Sequence, residues 1–260
     1  MQFRIGIQLA SLRLPFKKAL HTAAELGAQA VEIDARNELK PREVSQTGAR
    51  QVRKMLDDRN LRVCAIGFHT RRGYNVAEDL DRRVEATKEA MRFATSLGAG
   101  VVINQVGRIP AEDSGQQWDL LVQVLTDLGR FGQRVGALLA AETGAEDWSD
   151  LLRLIDALPD GSLAVNLDPG NLIVNGFSAS EAARRLGQHV LHVHAKDGVR
   201  DLAQGRGVET QLGRGAVDFP ELMAILEEHS YQGHFTIERQ HAVNPILEVG
   251  QAVQYLQSLV

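Results

Sequence analysis

The chain has 260 residues, of which 44% are hydrophobic and 24% are charged, and its formal net charge is -4 at pH 7. These values are typical of a globular protein with one sizeable core, and the slight negative charge gives no general attraction to nucleic acid. No apolar stretch approaches the ~18 residues of a membrane-spanning helix. The first residues show no signal-peptide pattern, and the single cysteine, Cys64, excludes an internal disulfide framework. We therefore expect a cytoplasmic protein that binds neither nucleic acid nor a membrane.

Short apolar runs alternate with helical patterns along the whole chain. In the clearest helical pattern, residues 79–97, apolar side chains recur every three or four residues. Eight such units in 260 residues average about 32 residues each, the length of a βα repeat. We expect a single (β/α)₈ barrel domain over residues 1–260; an open doubly wound sheet is the alternative, although no G-x-G-x-x-G motif follows the first strand. The predicted strands are residues 3–9, 30–34, 61–67, 100–104, 137–142, 163–168, 190–194 and 234–238.

Glycines mark the junctions between predicted helices and strands. Gly27, Gly98 and Gly136 each follow a helical pattern and precede an apolar strand, and Gly187 and Gly233 occupy similar places. Glycine adopts the positive φ of a left-handed helix cap without steric cost. We expect these glycines to end the helices.

Polar side chains end most of the predicted strands, and in parallel α/β folds the functional site lies at the carboxyl ends of the strands. The first four strands offer Gln8, Glu32, Asp34, His69 and Asn104. The last four strands end in Glu142, Asp168, His194 and Glu238.

The side chains that end the last four strands are the strongest candidates for a functional site. Neighbouring strand ends of a closed barrel face one mouth, so three carboxylates and an imidazole would converge there. Convergent carboxylates repel one another unless a cation neutralises them. Oxygen ligands with one imidazole suit one divalent ion, Mn²⁺ first, with Mg²⁺, Co²⁺ or Zn²⁺ as alternatives.

Each of these residues also has a simpler interpretation. A glutamate at a strand end is commonly a solvated loop residue. The sequence from Asp168 to Asn171 (DPGN) has the composition of a type II turn. His192 lies two residues before His194 and on the same face of its strand, where we expect a hydrogen-bonded core residue.

Three longer sequence motifs lie in the second half of the chain: His192–Asp197 (HVHAKD), Leu212–Phe219 (LGRGAVDF) and Tyr231–Glu238 (YQGHFTIE). With their strand placement, they resemble the xylose isomerase-like barrel superfamily, and within it the sugar isomerase/epimerase branch that includes ketose 3-epimerases and inosose dehydratases. The resemblance covers the whole chain. It implies that one metal is held by Glu142, Asp168, His194 and Glu238, that the two glutamates are the acid/base pair, and that Arg200 contacts substrate oxygens.

The chain departs from the family pattern at three positions. Asn171 stands where the epimerases often carry a histidine, and its amide could hydrogen-bond substrate instead. Trp148 stands where they carry a second glutamate, and its ring could stack on a sugar face. Asn104 and Asn171 stand where the related apurinic endonucleases use two of the histidines that hold three metals, so neither a trinuclear zinc site nor DNA repair is expected.

The segment 195–216 is long for a βα loop and holds Lys196, Arg200, Arg206 and Arg214. Loops of this length are often lids or binding segments. We expect Lys196 and Arg200 to bind substrate hydroxyls, a carboxylate or a phosphate; a solvated basic loop is the alternative for Arg206 and Arg214. His69 is expected at the barrel mouth, with a solvated loop position as its alternative.

The predicted activity is the isomerisation or epimerisation of a small sugar or related polyol ketone. Such a reaction removes a proton next to a carbonyl, and a divalent ion stabilises the enediolate oxygen that develops. Two alternatives remain: a hydro-lyase of the inosose dehydratase type, and a barrel that binds a sugar without turnover. The expected partner is a small-molecule substrate, and a homodimer is compatible with the sequence.

Overall fold

The computed structural model describes residues 3–201 and 206–259. Ten strands occur in this part of the chain: β1 (Arg4–Gln8), β2 (Ala30–Asp34), β3 (Arg62–Gly67), β4 (Val101–Asn104), β5 (Leu138–Glu142), β6 (Ala164–Leu167), β7 (Val190–Ala195), β8 (Asp197–Asp201), β9 (Arg206–Thr210) and β10 (His234–Ile237). Eight of them close into a barrel in the order β1-β10-β7-β6-β5-β4-β3-β2. All neighbouring barrel strands are parallel. Their carboxyl ends therefore open at one mouth.

The described residues also form nine α-helices: α1 (Phe16–Glu25), α2 (Gln46–Asp57), α3 (Leu80–Ser96), α4 (Gln116–Val135), α5 (Trp148–Asp156), α6 (Pro169–Asn175), α7 (Ala179–Leu186), α8 (Phe219–Glu228) and α9 (Pro245–Ser258). Helix α4 buries one apolar stripe that includes Leu121, Leu125 and Leu128, as expected for a helix that covers a sheet. None of the described helices is long and apolar enough to cross a membrane.

The predicted (β/α)₈ barrel is confirmed, and the open-sheet alternative is excluded because β1 pairs with both β2 and β10. Every predicted barrel strand agrees with the structure to within one residue at each end. The helical pattern at 79–97 corresponds to α3. Short apolar runs with clear boundaries, separated by helical patterns, predict strand positions well, which explains this agreement.

The glycine interpretation is correct at three junctions and wrong at two. Gly27, Gly98 and Gly136 have positive φ values of 91°, 83° and 81°. Gly187 is the C-cap of α7, as expected, but its φ is -52° instead of positive, and Gly233 does not have positive φ either. At Gly187 the requirement is space, since a Cβ there would lie 2.2 Å from the ring of His229.

The segment after β7 is a folded element instead of a simple long loop. Strands β8 and β9 form an antiparallel hairpin that packs on α6, and residues 202–205, which separate the two strands in the sequence, lie outside the described residues. The side chain of Asp197 fixes the segment that follows β9. Its Oδ1 accepts from the N–H of Val217 at 3.1 Å, and its Oδ2 accepts from the N–H groups of Gly213 and Gly215 at 3.0 and 2.8 Å. These contacts give Asp197, Gly213 and Gly215 a structural role in this segment.

The turn interpretation of residues 168–171 is wrong. Asp168 is the N-cap of α6, and its Oδ1 accepts the N–H of Asn171 at 2.7 Å. Proline is well suited to the first helical position because its missing N–H would be unpaired there. The same D-P-G-N composition therefore begins a short helix at the barrel mouth.

Candidate metal centre at the barrel mouth

Four side chains from four neighbouring strand ends converge at the mouth. Each of them offers one ligand atom, and these atoms all lie within 4.8 Å of one another. Asp168 and His194 are fully buried, while Glu238 and Glu142 are 4% and 9% exposed. The residues of this cluster are Glu142, Asp168, His194 and Glu238, which are the predicted metal ligands.

The imidazole of His194 lies at the centre of the cluster. Its Nδ1 is 3.1 Å from Glu142 Oε1, 3.0 Å from Glu238 Oε2 and 3.7 Å from Asp168 Oδ2. Its Nε2 lies on the opposite side, 2.8 Å from Glu32 Oε2. Asn166 Nδ2 also contacts Nδ1, at 3.1 Å. An Nε2–H that donates to Glu32 would leave the Nδ1 lone pair on the side of the three acids, which is the tautomer that binds a metal ion.

Glu142 and Glu238 are held in the same way on either side of His194. Each presents one oxygen to the centre and uses the other to accept from a glutamine amide. Gln105 Nε2 donates to Glu142 Oε2 at 3.0 Å, and Gln240 Nε2 donates to Glu238 Oε1 at 2.5 Å. Each carboxylate thus keeps one oxygen away from the centre, in a defined orientation.

Asp168 supplies the clearest sign that the cluster accommodates a cation. Its Oδ1 caps α6, but its Oδ2 is buried and has no hydrogen-bond partner among the described residues. That oxygen faces His194 Nδ1 and lies 3.6 Å from Lys196 Nζ. A buried carboxylate oxygen without a hydrogen bond is costly, and a bound cation would remove that cost.

The electrostatics of the cluster favour positive charge at its centre. Burial raises the pKa of Asp168 above its usual value. Burial has the same tendency at Glu142 and Glu238, but the nearby His194 outweighs it and lowers the pKa of both. Burial would lower the pKa of His194, yet the surrounding carboxylates raise it well above the ordinary value.

The donor set fits a divalent ion. Ligands about 2.0–2.2 Å from one ion, at the angles of tetrahedral or octahedral coordination, lie about 2.9–3.5 Å apart. The separations between His194 Nδ1 and the glutamate oxygens are 3.0 and 3.1 Å, and Asp168 is slightly farther at 3.7 Å. Three carboxylates and one imidazole suit Mn²⁺, Mg²⁺, Co²⁺ and Zn²⁺.

A second group of potential ligands, Glu32, His192 and His194, lies next to the first. Both ring nitrogens of His192 have other partners: Nδ1 contacts Asn166 Oδ1 at 2.9 Å and Nε2 contacts Thr236 Oγ1 at 2.9 Å. Burial and the neighbouring His194 also lower the pKa of His192. His192 is therefore the hydrogen-bonded core residue expected from the sequence.

Sequence reasoning placed Gln8 and Glu32 at strand ends but did not predict that they orient the cluster, and it did not identify Ser11. Glu32 holds His194, and Gln8 Nε2 donates to Glu32 Oε1 at 3.1 Å. Ser11 Oγ then donates to Gln8 Oε1 at 2.9 Å and accepts the backbone N–H of Arg239, next to Glu238, at 2.9 Å. A signal was present, because Glu32 is an isolated charge inside the apolar run of β2 and a buried charge requires a partner.

Two of the predicted substrate contacts lie beside the cluster. Lys196 is 4% exposed, and its Nζ lies 3.4 Å from Glu238 Oε2. Burial would lower the pKa of Lys196, but Asp168 and Glu238 raise it above its usual value. A Cβ placed on Gly67 would lie 3.9 Å from His69 Nε2 and 3.1 Å from Glu32 Oε1, and the buried Nδ1 of His69 has no hydrogen-bond partner among the described residues.

Asn104 makes structural contacts instead of facing the cluster. Its Nδ2 donates to the carbonyl of Phe68 at 2.6 Å and to the hydroxyl of Tyr74 at 3.1 Å. Its Oδ1 accepts from Thr70 Oγ1 at 3.2 Å. The amide is fully buried, and these bonds use both of its ends.

The remaining predicted contacts lie farther from the ligands. Asn171 is in the first turn of α6, where its backbone N–H is bound by Asp168. The ring of Trp148 lies under the guanidinium of Arg185, 5.2 Å away, between α5 and α7. Arg200 is exposed, and its guanidinium lies over Gly176 at the opposite end of α6 from Asp168. The side chain of Arg206 lies outside the described residues, and Arg214 is exposed.

With the fold and the cluster described, the chain can be compared with known protein families. The family model described as xylose isomerase-like TIM barrel matches residues 20–259, and the chain belongs to that family. The resemblance to the xylose isomerase-like barrel superfamily read from the sequence is confirmed.

Individual relatives are distant in sequence. An inosose dehydratase from Clostridium beijerinckii is 22% identical over 93% of this chain and 89% of its own. A xylose isomerase domain protein from Planctomyces limnophilus is 26% identical, has a TM-score of 0.83, and covers 92% of this chain and 91% of its own. A xylose isomerase-like TIM barrel protein from Mycobacterium smegmatis, in complex with magnesium, is 19% identical with a TM-score of 0.74, and covers 99% of this chain and 97% of its own.

Proposed function

We propose that this protein is a metal-dependent isomerase or epimerase of a small sugar or related polyol ketone, which transfers a proton at the carbon next to the carbonyl. The observation that carries the proposal is the paired arrangement of Glu142 and Glu238. Both lie about equally far from His194 Nδ1, at 3.1 and 3.0 Å, and each has its second oxygen fixed by a glutamine amide. Two oriented carboxylates across one mouth are what a two-base proton transfer requires.

The chain's own residues supply the proton transfer. One glutamate removes the proton next to the carbonyl, and the other returns a proton to the carbon skeleton from its own side. The amide hydrogen bonds from Gln105 and Gln240 keep the outer oxygens oriented for this step. Transfer between opposite faces gives an epimer, whereas return by the same glutamate to the neighbouring carbon gives an aldose–ketose isomer.

Glu142, Asp168, His194 and Glu238 would hold the divalent ion, with Mn²⁺ as our first choice. When bound, such an ion acts as a Lewis acid on substrate oxygens. The magnesium complex of the Mycobacterium smegmatis relative supports a metal in this fold but does not identify the metal here.

The substrate contacts extend from the cluster. The unpartnered Nδ1 of His69 is positioned to hydrogen-bond a substrate hydroxyl, and Lys196 would bind an oxygen beside Glu238. Asn171, Trp148 and Arg200 remain proposed contacts from the family pattern. For Arg200, the exposed guanidinium over Gly176 would have to turn toward the mouth. Asn104 is the weakest of the proposed contacts because its amide is already hydrogen-bonded.

A hydro-lyase is the second candidate, and Lys196 is the observation that favours it. Loss of water from the carbon next to the enediol needs a proton for the departing hydroxyl. The buried ammonium of Lys196, 3.4 Å from the proposed base Glu238, is placed to give that proton. The relatives named inosose dehydratase support the same reaction.

A substrate screen in D₂O, with and without Mn²⁺, tests both candidates. The panel contains D-fructose, D-fructose 6-phosphate, 5-keto-D-gluconate and an inosose. Metal-dependent deuterium incorporation with an isomeric product supports the isomerase or epimerase. A product that has lost water supports the hydro-lyase, and this activity should fall more than exchange does in Lys196→Met. Saturable binding without exchange or product would indicate a sugar-binding barrel and contradict both.

A cytoplasmic location and a homodimer complete the proposal. The single cysteine, Cys64, supports this location, because proteins of reducing compartments rarely depend on disulfides. Size-exclusion chromatography with light scattering measures the oligomeric state directly.

A further inference from the structure

A second cavity opens beside the barrel mouth, between the segments that follow β2 and β3. Its volume is about 660 Å³, and part of its wall is formed by Phe68 and Thr70, directly after β3. Its other walls come from the segment 35–43 and from the first three turns of α3. None of the four predicted metal ligands lines it.

The cavity wall is strongly basic. Seven arginine and lysine side chains line it, against four acidic ones. Three cations are paired there: Arg42 with Glu89, Arg72 with Glu78, and Lys40 with Glu43. The lining cations without a carboxylate within 4.0 Å, among the residues that the structure describes, are Arg36, Arg71, Arg82 and Arg83.

The unpaired arginines are not equivalent. Arg83 donates to the carbonyls of Gly73, Val76 and Glu78, so it holds the segment before α3. Arg36 donates to the carbonyl of His69 at 2.8 Å and lies over the ring of Phe68, 5.6 Å from its centre. Arg71 and Arg82 are exposed. Two exposed guanidinium groups therefore accompany one that is already oriented by its neighbours.

The N-terminal end of α3 also lines the cavity. Its first turn carries Asp81 together with Arg82 and Arg83, and its N-cap Asp79 makes no side-chain capping bond. Cations at a helix N-terminus oppose the helix dipole, whereas an anion there is favourable. An anion in the cavity would interact with the dipole and with the unpaired guanidinium groups together.

The end of β3 and the segment after it contribute residues both to the cavity wall and to the surroundings of the candidate metal centre. Arg36 Nη1 in the cavity wall donates to the backbone carbonyl of His69 at 2.8 Å. A Cβ placed on Gly67 would lie 3.1 Å from Glu32 Oε1 and 3.9 Å from His69 Nε2. The same short segment thus borders the cavity and the residues that hold the cluster.

We infer that this cavity binds an anionic group, a phosphate monoester or a carboxylate. Under the proposed function on which this step rests, that group belongs to the substrate. The reacting end of the sugar lies at the four-residue cluster, and its acidic end lies against Arg36, Arg71 and Arg82. The substrate class narrows to phosphorylated or acidic keto-polyols. Guanidinium groups recognise both kinds of oxyanion by charge-assisted hydrogen bonds.

Charge reversal tests the site without touching the metal ligands. The variant Arg71→Glu/Arg82→Glu changes two exposed side chains, so the fold should be retained, with an unchanged thermal transition as the check. The control is Arg130→Glu, an exposed arginine on α4 outside the cavity wall. Titration calorimetry with inorganic phosphate at low ionic strength, where exposed charges are least screened, reports anion binding independently of activity.

We expect phosphate to bind the wild type and the control, and to bind the double variant about tenfold to a hundredfold more weakly. In the exchange assay, KM for D-fructose 6-phosphate or 5-keto-D-gluconate should rise by a similar factor, while KM for D-fructose stays unchanged. Whichever acidic substrate responds identifies the source of the anion.

Two results would overturn the inference: no phosphate binding by the wild type, or equal binding by the double variant and the control. Equal KM changes for neutral and acidic substrates would contradict the assignment to the substrate. If no ketose exchanges its proton but phosphate binding still depends on Arg71 and Arg82, the proposed function fails and the anion site stands.

Discussion

Polar side chains lie at the mouth in both halves of the barrel, the first formed by β1–β4 and the second by β5, β6, β7 and β10. The two halves use these side chains differently. In the first half, Glu32 and Asn104 are bonded to other protein groups: Glu32 to Gln8 and His194, and Asn104 to Phe68, Tyr74 and Thr70. In the second half, the strand-end side chains face one another, and Asp168 Oδ2 has no hydrogen bond among the described residues. The first half supports the site, and the second half forms it.

This difference shows what a strand-end position does and does not establish. The barrel brings all of these side chains to one mouth because parallel strands have their carboxyl ends together. Whether a side chain then binds a ligand depends on its hydrogen-bonding capacity. The amide of Asn104 already uses both of its N–H donors and accepts one bond, whereas three carboxylates around one imidazole nitrogen favour a cation between them.

The largest effect is expected for the ligands in the second half. His194→Ala and Asp168→Asn each remove one of four ligand groups, so both should lose tight binding of a divalent ion. Asparagine can still cap α6 through its Oδ1, so Asp168→Asn should keep its fold. Metal content after dialysis, with circular dichroism as the folding control, checks this expectation. Wild-type metal content in both variants would contradict it.

The glutamates should show the next largest effect, on catalysis. Glu142→Gln and Glu238→Gln keep the side-chain shape but remove the base, so each should lower kcat by about 10²–10⁴. The assay must be saturated with metal, because weakened metal binding would otherwise contribute. If the two act on opposite faces, each variant should retain proton exchange from one epimer only. Near wild-type turnover in both would disprove the two-base mechanism and favour a hydride shift.

Glu32 tests whether the first half supports the second. Glu32→Gln weakens the interaction that orients His194, so metal affinity should fall about 10–100-fold, as is usual for groups that orient a metal ligand. The stoichiometry should stay at one ion. A competition titration with a chromophoric chelator measures the affinity. An unchanged affinity would mean that Glu32 does not orient His194.

Asn104 should give the smallest effect on the site. Asn104→Leu leaves the Phe68 carbonyl and the Tyr74 hydroxyl without their donor, which should lower the free energy of unfolding by about 1–3 kcal/mol. Metal affinity and KM should be unchanged. Urea unfolding, followed beside the kinetics, separates the two roles. A raised KM with unaltered stability would instead support the substrate contact expected from the family pattern.

The barrel and the four-residue cluster follow from local information in the sequence. Each strand is a short apolar run, and Glu142, Asp168, His194 and Glu238 are found simply as the residues that end such runs. The helix α6 was missed because the composition D-P-G-N suits both a turn and a proline-initiated helix. The structure has the helix, which continues to Asn175 and packs against the β8–β9 hairpin.

The supporting contacts could not be read from the sequence because they join distant parts of the chain. Glu32 and His194 are 162 residues apart, and Gln105 and Gln240 are ordinary loop glutamines until the barrel closes. The basic cavity was equally hidden, since Arg36 and Arg82 belong to separate units and meet only through the fold. Sequence patterns locate candidate metal ligands. The hydrogen bonds formed in the folded chain then determine which of these side chains can still bind a metal ion.

Anomalous diffraction from crystals of the Mn²⁺-loaded protein tests the central claim most directly. We expect a single peak, bonded to His194 Nδ1 and to oxygens of Glu142, Asp168 and Glu238 at about 2.0–2.3 Å, with Nε2 of His194 still bound to Glu32. No peak within bonding distance of His194 Nδ1, or a peak among Glu32, His192 and His194 Nε2, would contradict the account.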